Sequence, residues 1–145
     1  MIEFEVFGSP QPAGSKRSFP FRRGDGSLGV RVTDDNPKGR DWKIAVAAAA
    51  PKLSPDTLLS GPLTVEFIFE LPRPAGHFGK RGLLPSAPAC PTVRPDVLKL
   101  ARAVEDALTG VLWRDDSQIV FEALTKRYGE RARLMVRVGE SAVRG

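Results

Sequence analysis

This chain contains a single cysteine and a single histidine, and these two scarcities exclude several kinds of site. Cys90 has no partner for an intrachain disulfide, and one cysteine does not make a zinc site. Because His77 is the only histidine, a catalytic dyad or a metal centre built on several histidines is excluded as well. The lack of a disulfide framework fits a reducing, cytoplasmic setting.

Long hydrophobic runs are also missing. The longest apolar run falls far short of the roughly 20 residues that a membrane-spanning helix needs. The first residues, MIEFEVFGSP, alternate polar and apolar side chains and lack a basic region, so we do not expect them to act as a signal peptide. We therefore expect no membrane partner.

The composition is that of a basic globular protein. The chain has 145 residues, of which 41% are hydrophobic, so a single domain spanning 1–145 is expected. Lysine and arginine number 22 against 17 acidic residues, which gives a net charge of +5. This excess favours a polyanionic partner such as nucleic acid, although a merely soluble basic protein would have the same composition.

The apolar pattern predicts both strands and helices. Alternation predicts strands at 2–6, 63–71, 117–128 and 132–138, and helical spacing predicts helices at 38–50 and 97–109. The Gly- and Pro-rich segment 8–29 reads as a long loop or an irregular hairpin before a short strand at 30–33, and 72–95 reads as a second loop. The last two strands read as a hairpin. The expected class is α+β, a small mixed β-sheet with two main helices packed on it.

Acidic residues bracket the second predicted helix. Asp96 precedes it, and Asp115 and Asp116 follow its end. Mg²⁺ prefers oxygen ligands and takes one or two protein carboxylates besides waters and phosphate oxygens, and such an ion can activate water at a phosphodiester. The same residues also fit structural roles, because Asp96 can cap a helix and Asp-Asp-Ser can form a turn.

The stretch RPDVLKLARAVEDALTGVLWRDDSQIV, residues 94–120, resembles the core motif of the RusA family of Holliday junction resolvases. The matching residues are Asp96, Asp106, Ala107, Leu108, Trp113, Asp115, Asp116, Gln118 and Ile119. The resemblance implies a small homodimeric endonuclease with a RusA-like fold that cuts four-way DNA junctions symmetrically with Mg²⁺ or Mn²⁺. It also implies catalytic aspartates at Asp96 and Asp116, with Arg102 at the position of the family's catalytic lysine.

One position departs from that motif. Leu98 stands where the family has a second metal-binding aspartate, and leucine cannot bind a metal. Glu105 is the candidate substitute, two helical turns along the same face, although an axial offset of about 10 Å at 1.5 Å per residue requires a displaced metal. We therefore predict a metal site of Asp96, Glu105 and Asp116, with Asp115 close by. The alternative is that Glu105 is a solvated charge paired with Arg102.

Basic residues outside the acidic motif are candidates for contacts with DNA phosphates. In segment 8–29 they alternate with Phe19 and Phe21, whose rings could stack on unpaired bases or pack into the core. The predicted DNA-contacting residues are Lys16, Arg17, Arg22, Arg23, Lys80, Arg81, Arg94 and Lys99. A further group on the last predicted strand, either solvated or part of the DNA surface, comprises Arg131, Arg133 and Arg137.

The leading interpretation is a metal-dependent, structure-selective endodeoxyribonuclease that resolves four-way junctions. In this interpretation water attacks the phosphodiester and Arg102 stabilises the negative charge. A homodimer is expected, because a junction needs two symmetric cuts. One alternative is a junction-binding protein whose cleavage is weakened or lost because Leu98 replaces a ligand. Another is a small protein-binding α+β domain whose acidic residues are caps and turns.

Overall fold

The computed structural model describes residues 1–14, 16–34 and 38–141, with the backbone alone considered at 16, 17 and 32–34. Its strands are β1 (Ile2–Phe7), β2 (Lys16–Arg22), β3 (Leu28–Asp34), β4 (Leu63–Leu71), β5 (Phe78–Gly79), β6 (Gly82–Leu83), β7 (Ile119–Tyr128) and β8 (Arg133–Glu140). Its α-helices are α1 (Lys38–Ala49) and α2 (Val97–Leu108), and short 3₁₀ helices lie at Pro55–Thr57, Ala75–His77 and Asp116–Gln118. The predicted α+β class is confirmed.

Four strands form a mixed sheet in the order β1–β8–β4–β7. Strand β8 is antiparallel to both β1 and β4, whereas β4 and β7 are parallel. Parallel neighbours need a crossover connection, and α2 lies in the connection between β4 and β7. The predicted hairpin of the last two strands is wrong, because β4 lies between them. Alternation shows which face of a strand is buried but does not identify its neighbour.

The core lies between the helices and one face of this sheet. The fully buried side chains include Phe67 and Phe69 of β4 and Val136 of β8. Helix α2 contributes Leu100, Val104 and Leu108, which recur at helical spacing and form its apolar stripe. This packing fixes α2 against the sheet, so a side chain on its flank has a defined position relative to β7.

The end of α2 follows the predicted pattern closely. The helix ends at Leu108, and Gly110 adopts a φ of 85°, which favours glycine at this position after a helix. Trp113 is fully buried just beyond, and its indole Nε1 donates to Thr109 Oγ1 at 3.1 Å. These contacts direct the chain from the helix toward the start of β7.

The other face of the sheet carries ion pairs. Arg133 donates to Glu70 at 2.6 Å and to Glu5 at 3.0 Å, and Arg127 donates to Glu70 at 3.1 Å. Burial raises the pKa of Glu70, but the hydrogen bonds from Arg133 and Arg127 outweigh burial and lower the pKa below its usual 4.5. Arg137 is paired in the same way with Glu3. The arginines of β8 therefore form ion pairs across the sheet.

Two small hairpins extend from this body. Strands β2 and β3 pair with each other in a separate two-stranded sheet, so the end of segment 8–29 forms a hairpin with the short strand predicted at 30–33. Strands β5 and β6 form a minimal hairpin inside the second predicted loop. Among the described residues, no helix has the length and hydropathy to cross a bilayer.

Candidate acidic centre and DNA surface

Glu105 lies half-buried on the flank of α2 that faces β7. Its carboxyl group is within hydrogen-bonding distance of the carboxyl group of Glu122, a half-buried residue of β7. At the far end of β7, Lys126 Nζ donates to the carbonyl oxygens of Val93 and Pro95, at 2.8 and 3.0 Å. Helix α2 and strand β7 therefore run in opposite directions, which brings Glu122 beside Glu105.

The electrostatics of Glu105 follow from these surroundings. Burial, the hydrogen-bonding contact with Glu122 and repulsion from Glu122, Asp116 and Asp106 raise the pKa of Glu105 to about 8. In the absence of a cation, Glu105 therefore retains a proton near neutral pH. The structure contradicts the alternative of a solvated Glu105–Arg102 ion pair. Arg102 is exposed on α2 and forms no ion pair with any residue that the structure describes.

Glu122 has an unsatisfied oxygen. Its Oε1 is buried and has no hydrogen-bond partner among the described residues. A buried carboxylate oxygen without a donor is costly, so such atoms in folded proteins usually face a proton donor or an ion. The contact between Glu105 and Glu122 therefore needs either a shared proton or a cation.

The two aspartates after α2 have different surroundings. Asp116 is exposed at the start of a 3₁₀ helix, close enough to Glu105 to repel its carboxylate. Asp115 caps that helix and accepts a hydrogen bond from the Ser117 backbone N–H at 2.9 Å, which lowers the pKa of Asp115. Gln118 completes the cap by accepting from the Asp115 backbone N–H at 3.1 Å. The turn alternative for Asp115, Asp116 and Ser117 is confirmed, and Asp115 Oδ1 takes part in it.

Asp96 lies at the opposite end of α2, where it is the N-cap residue without a side-chain capping bond. Nine residues separate it from Glu105, which corresponds to about 13 Å along the axis at 1.5 Å per residue. No three His, Cys, Asp or Glu side chains in the described ranges are arranged to hold a metal ion together. The predicted grouping of Asp96, Glu105, Asp115 and Asp116 around one ion therefore does not form within one chain, because the length of α2 keeps Asp96 apart.

Asp96 instead lines an open cleft of about 860 Å³. The segment 9–14 forms one wall, and Arg94 and Lys99 lie on the other side. The backbone N–H of Ala13 donates to the carbonyl oxygen of Lys99 at 2.9 Å, which fixes the two walls to each other. A helix N-terminus flanked by two cations suits a phosphate group, so two of the predicted DNA-contacting residues lie in a suitable place.

The β2–β3 hairpin presents a second candidate DNA surface. Phe19 and Phe21 are 47% and 38% exposed, so the alternative that both rings pack into the core is wrong. The guanidinium groups of Arg23 and Arg31 lie over the Phe21 ring, at 5.7 and 5.5 Å from its centre. Register places Arg31 opposite Phe19 on the same face, whereas Arg22 faces the other way opposite Leu28.

The remaining predicted DNA contacts fall into two groups. Lys80 and Arg81 are exposed at the turn between β5 and β6. The side chains of Lys16 and Arg17 lie outside the described part of the chain.

Sequence reasoning missed Arg31 and Glu122. The signal for Glu122 was a charged residue on the same side of β7 as Leu124, which packs against the core.

Comparison with known proteins gives an independent result. Residues 8–139 match the family model for endodeoxyribonuclease RusA. The chain is also 30% identical to the uncharacterized protein YqaN of Bacillus subtilis (strain 168), over 96% of each chain. The family match includes the cleft, the β2–β3 hairpin and the acidic residues of α2 and β7. This chain therefore belongs to the RusA family of endodeoxyribonucleases.

Proposed function

We propose that this protein is a metal-dependent, structure-selective endodeoxyribonuclease that resolves four-way DNA junctions by two symmetric cuts. The observation that carries the proposal is the acidic centre on the flank of α2, where Glu105 and Asp116 lie beside an unsatisfied buried carboxylate oxygen. Membership of the RusA family supports the nuclease activity. The net charge of +5 supports a DNA partner.

A divalent cation fits these residues. Mg²⁺ keeps several waters and needs only one or two protein carboxylates, so an incomplete cage of acidic residues is sufficient. Glu105 and Asp116 would hold the ion, and a bound cation would favour the ionised form of Glu105 over the protonated form. When bound, Mg²⁺ or Mn²⁺ supplies activation of water and neutralisation of phosphate charge.

The chain's own residues would bind and orient the DNA. Arg94 and Lys99 would hold a backbone phosphate in the cleft, and Phe21 would stack on an unpaired base near the junction centre. Arg102, exposed on α2, would stabilise charge on the phosphate, since its guanidinium stays protonated. Water attacks phosphorus and releases a proton to solvent, the bond to the leaving oxygen breaks, and that oxygen takes a proton from solvent rather than from Arg102.

Asp96 keeps a proposed catalytic role because it matches the first aspartate of the family motif. In one chain it would act from the cleft rather than on the same ion as Glu105. We propose a homodimer in the cytoplasm, because two cuts related by symmetry require two equivalent sites.

The alternative is junction binding with weakened or lost cleavage. One observation favours it, since Leu98 is 67% exposed and presents an apolar side chain where the family motif has an acid. The two functions differ in a direct assay. A labelled synthetic four-way junction and a linear duplex of the same sequence are incubated with the protein in Mg²⁺, in Mn²⁺ and in EDTA.

Paired nicks in the junction alone, abolished by EDTA, are the expected result. Glu105→Gln and Asp116→Asn should lower the cutting rate at least tenfold, whereas Glu140→Gln, at an exposed position in β8, serves as the control. Salt-sensitive junction binding without nicks would favour the binding protein. Equal cutting of the linear duplex would refute structure selectivity.

A further inference from the structure

We propose that Glu122 is a metal-binding residue, and that it joins Glu105 in holding a divalent cation between α2 and β7, with Asp116 beside the site. The inference rests on the proposed function, because it assigns the metal of that activity to a definite place. It also adds to the chain a ligand that lies outside the residues matching the RusA motif.

The geometry favours this pair over the other acidic residues. Glu122 belongs to a strand hydrogen-bonded to β4 along its length, and Glu105 belongs to a helix whose apolar stripe is fully buried. Two rigid elements therefore hold the two carboxyl groups within hydrogen-bonding distance. Asp115 uses its Oδ1 atom in the cap of the 3₁₀ helix, and Asp96 lies about 13 Å away along α2.

The chemistry gives a second argument. When both are ionised, the two carboxylates repel each other, and the buried Glu122 Oε1 atom then has no hydrogen-bond partner among the described residues. A divalent cation would neutralise both charges and use that oxygen as a ligand. Both side chains are only half-buried, so an ion and its waters can reach them from solvent.

The position of the Glu105–Glu122 pair also explains how a metal site can form although Leu98 replaces an acidic residue of the family motif. Seven residues separate Leu98 from Glu105, so both lie on the same flank of α2, and Glu105 lies nearer to Asp116. With a leucine at the earlier position, the nearest acidic group on this flank is Glu105. Glu122 then supplies the second carboxylate that the motif position no longer provides.

Metal binding to the whole chain without DNA tests this assignment. Mn²⁺ is titrated into the protein, and free Mn²⁺ is measured by electron paramagnetic resonance, with calorimetry as a second readout. Glu122→Gln keeps the shape of the side chain and should weaken Mn²⁺ binding at least tenfold, which is about 1.4 kcal/mol. Glu140→Gln is the matched control and should bind as the unchanged chain does.

Folding is checked in the same preparations. Glu122→Gln keeps a side chain of the same shape that can accept the Glu105 hydrogen bond, so it should fold, and its thermal unfolding midpoint should no longer rise on addition of Mn²⁺. Unchanged Mn²⁺ affinity in Glu122→Gln would overturn the inference. So would a loss of affinity in Asp96→Asn with none in Glu122→Gln, because the ion would then lie in the cleft.

The two proposals fail in different ways. The unchanged chain could bind Mn²⁺ without ever cutting a junction, while Glu122→Gln fails to bind Mn²⁺. That result would support the metal site and refute the resolvase function. If the chain cuts junctions with Mn²⁺ and Glu122→Gln binds and cuts equally well, the function stands and the metal site falls. A chain that binds no Mn²⁺ in the presence or absence of DNA would overturn both.

Discussion

Replacing Glu105 with glutamine should remove a pH-dependent loss of stability from the metal-free protein. The folded chain raises the pKa of Glu105 from 4.5 to about 8, through burial first and then through Glu122, Asp116 and Asp106. The folded state therefore binds this proton more tightly than the unfolded state does. The contribution of this proton to the free energy of unfolding is complete below pH 4.5 and is lost as the pH rises to about 8.

The size of the effect has an upper limit. The gap between 4.5 and about 8 corresponds to a ceiling of about 5 kcal/mol at 1.36 kcal/mol per unit. Glu105 is only half-buried, and Lys43 pairs with the neighbouring Asp106 at 3.4 Å, so solvent and neighbours screen the repulsion. We expect a change of about 1–2 kcal/mol between pH 5.5 and pH 8.5 after this discount.

The assay is urea unfolding in EDTA at pH 5.5, 7.0 and 8.5. Glu105→Gln mimics the protonated side chain, so its free energy of unfolding, relative to that of the unchanged chain, should grow as the pH rises. All other titrating groups are common to both chains, and Glu140→Gln should show no such trend. A difference that stays constant across this pH range would mean that neither burial nor the neighbouring carboxyl groups raise the pKa of Glu105.

Three further substitutions test other parts of the structure. Glu70→Ala should cost about 1–2 kcal/mol in urea unfolding at pH 7, less than the roughly 3–5 of a fully buried pair because its arginines stay partly solvated. This loss should shrink progressively as the pH falls below 4.5 and Glu70 becomes protonated, because the lowered pKa of Glu70 stabilises only the ionised form. Gly129→Ala should lower the thermal unfolding midpoint, because a Cβ there would overlap the Glu70 carboxylate, and an unchanged midpoint would refute that packing. Phe21→Ala should weaken junction binding by about 1 kcal/mol in a gel-shift titration, whereas Leu28→Ala on the other face should not.

The sequence predicted the elements of this fold better than it predicted their arrangement. The bounds of α1 and α2 are each within one residue of those expected, because buried positions recur at helical spacing. The place of β4 between β7 and β8 could not be predicted, since it depends on which strands pair. The arrangement is recognisable only in the structure, where Glu70 of β4 pairs with Arg127 of β7 and with Arg133 of β8.

The candidate site was predictable only where it is local in sequence. Asp115 and its turn follow from the order Asp-Asp-Ser, and the predicted cap is present. The contact between Glu105 and Glu122 depends on α2 and β7 running in opposite directions beside each other. That relation follows from the crossover after β4, and no spacing along the chain encodes it.

The separation between the cleft and the acidic pair sets a length scale on bound DNA. Lys99 lies in the cleft and Glu105 lies about 9 Å farther along α2, at 1.5 Å per residue. A DNA strand following the helix would cover that distance in about three nucleotides at 3.4 Å each. Lys99→Ala should therefore remove one phosphate contact about three nucleotides from the cut, read by ethylation interference, and reduce the salt slope of binding by about one. Loss of the contact at the cut phosphate itself would contradict this arrangement, because the cleft and the acidic pair would then hold the same phosphate.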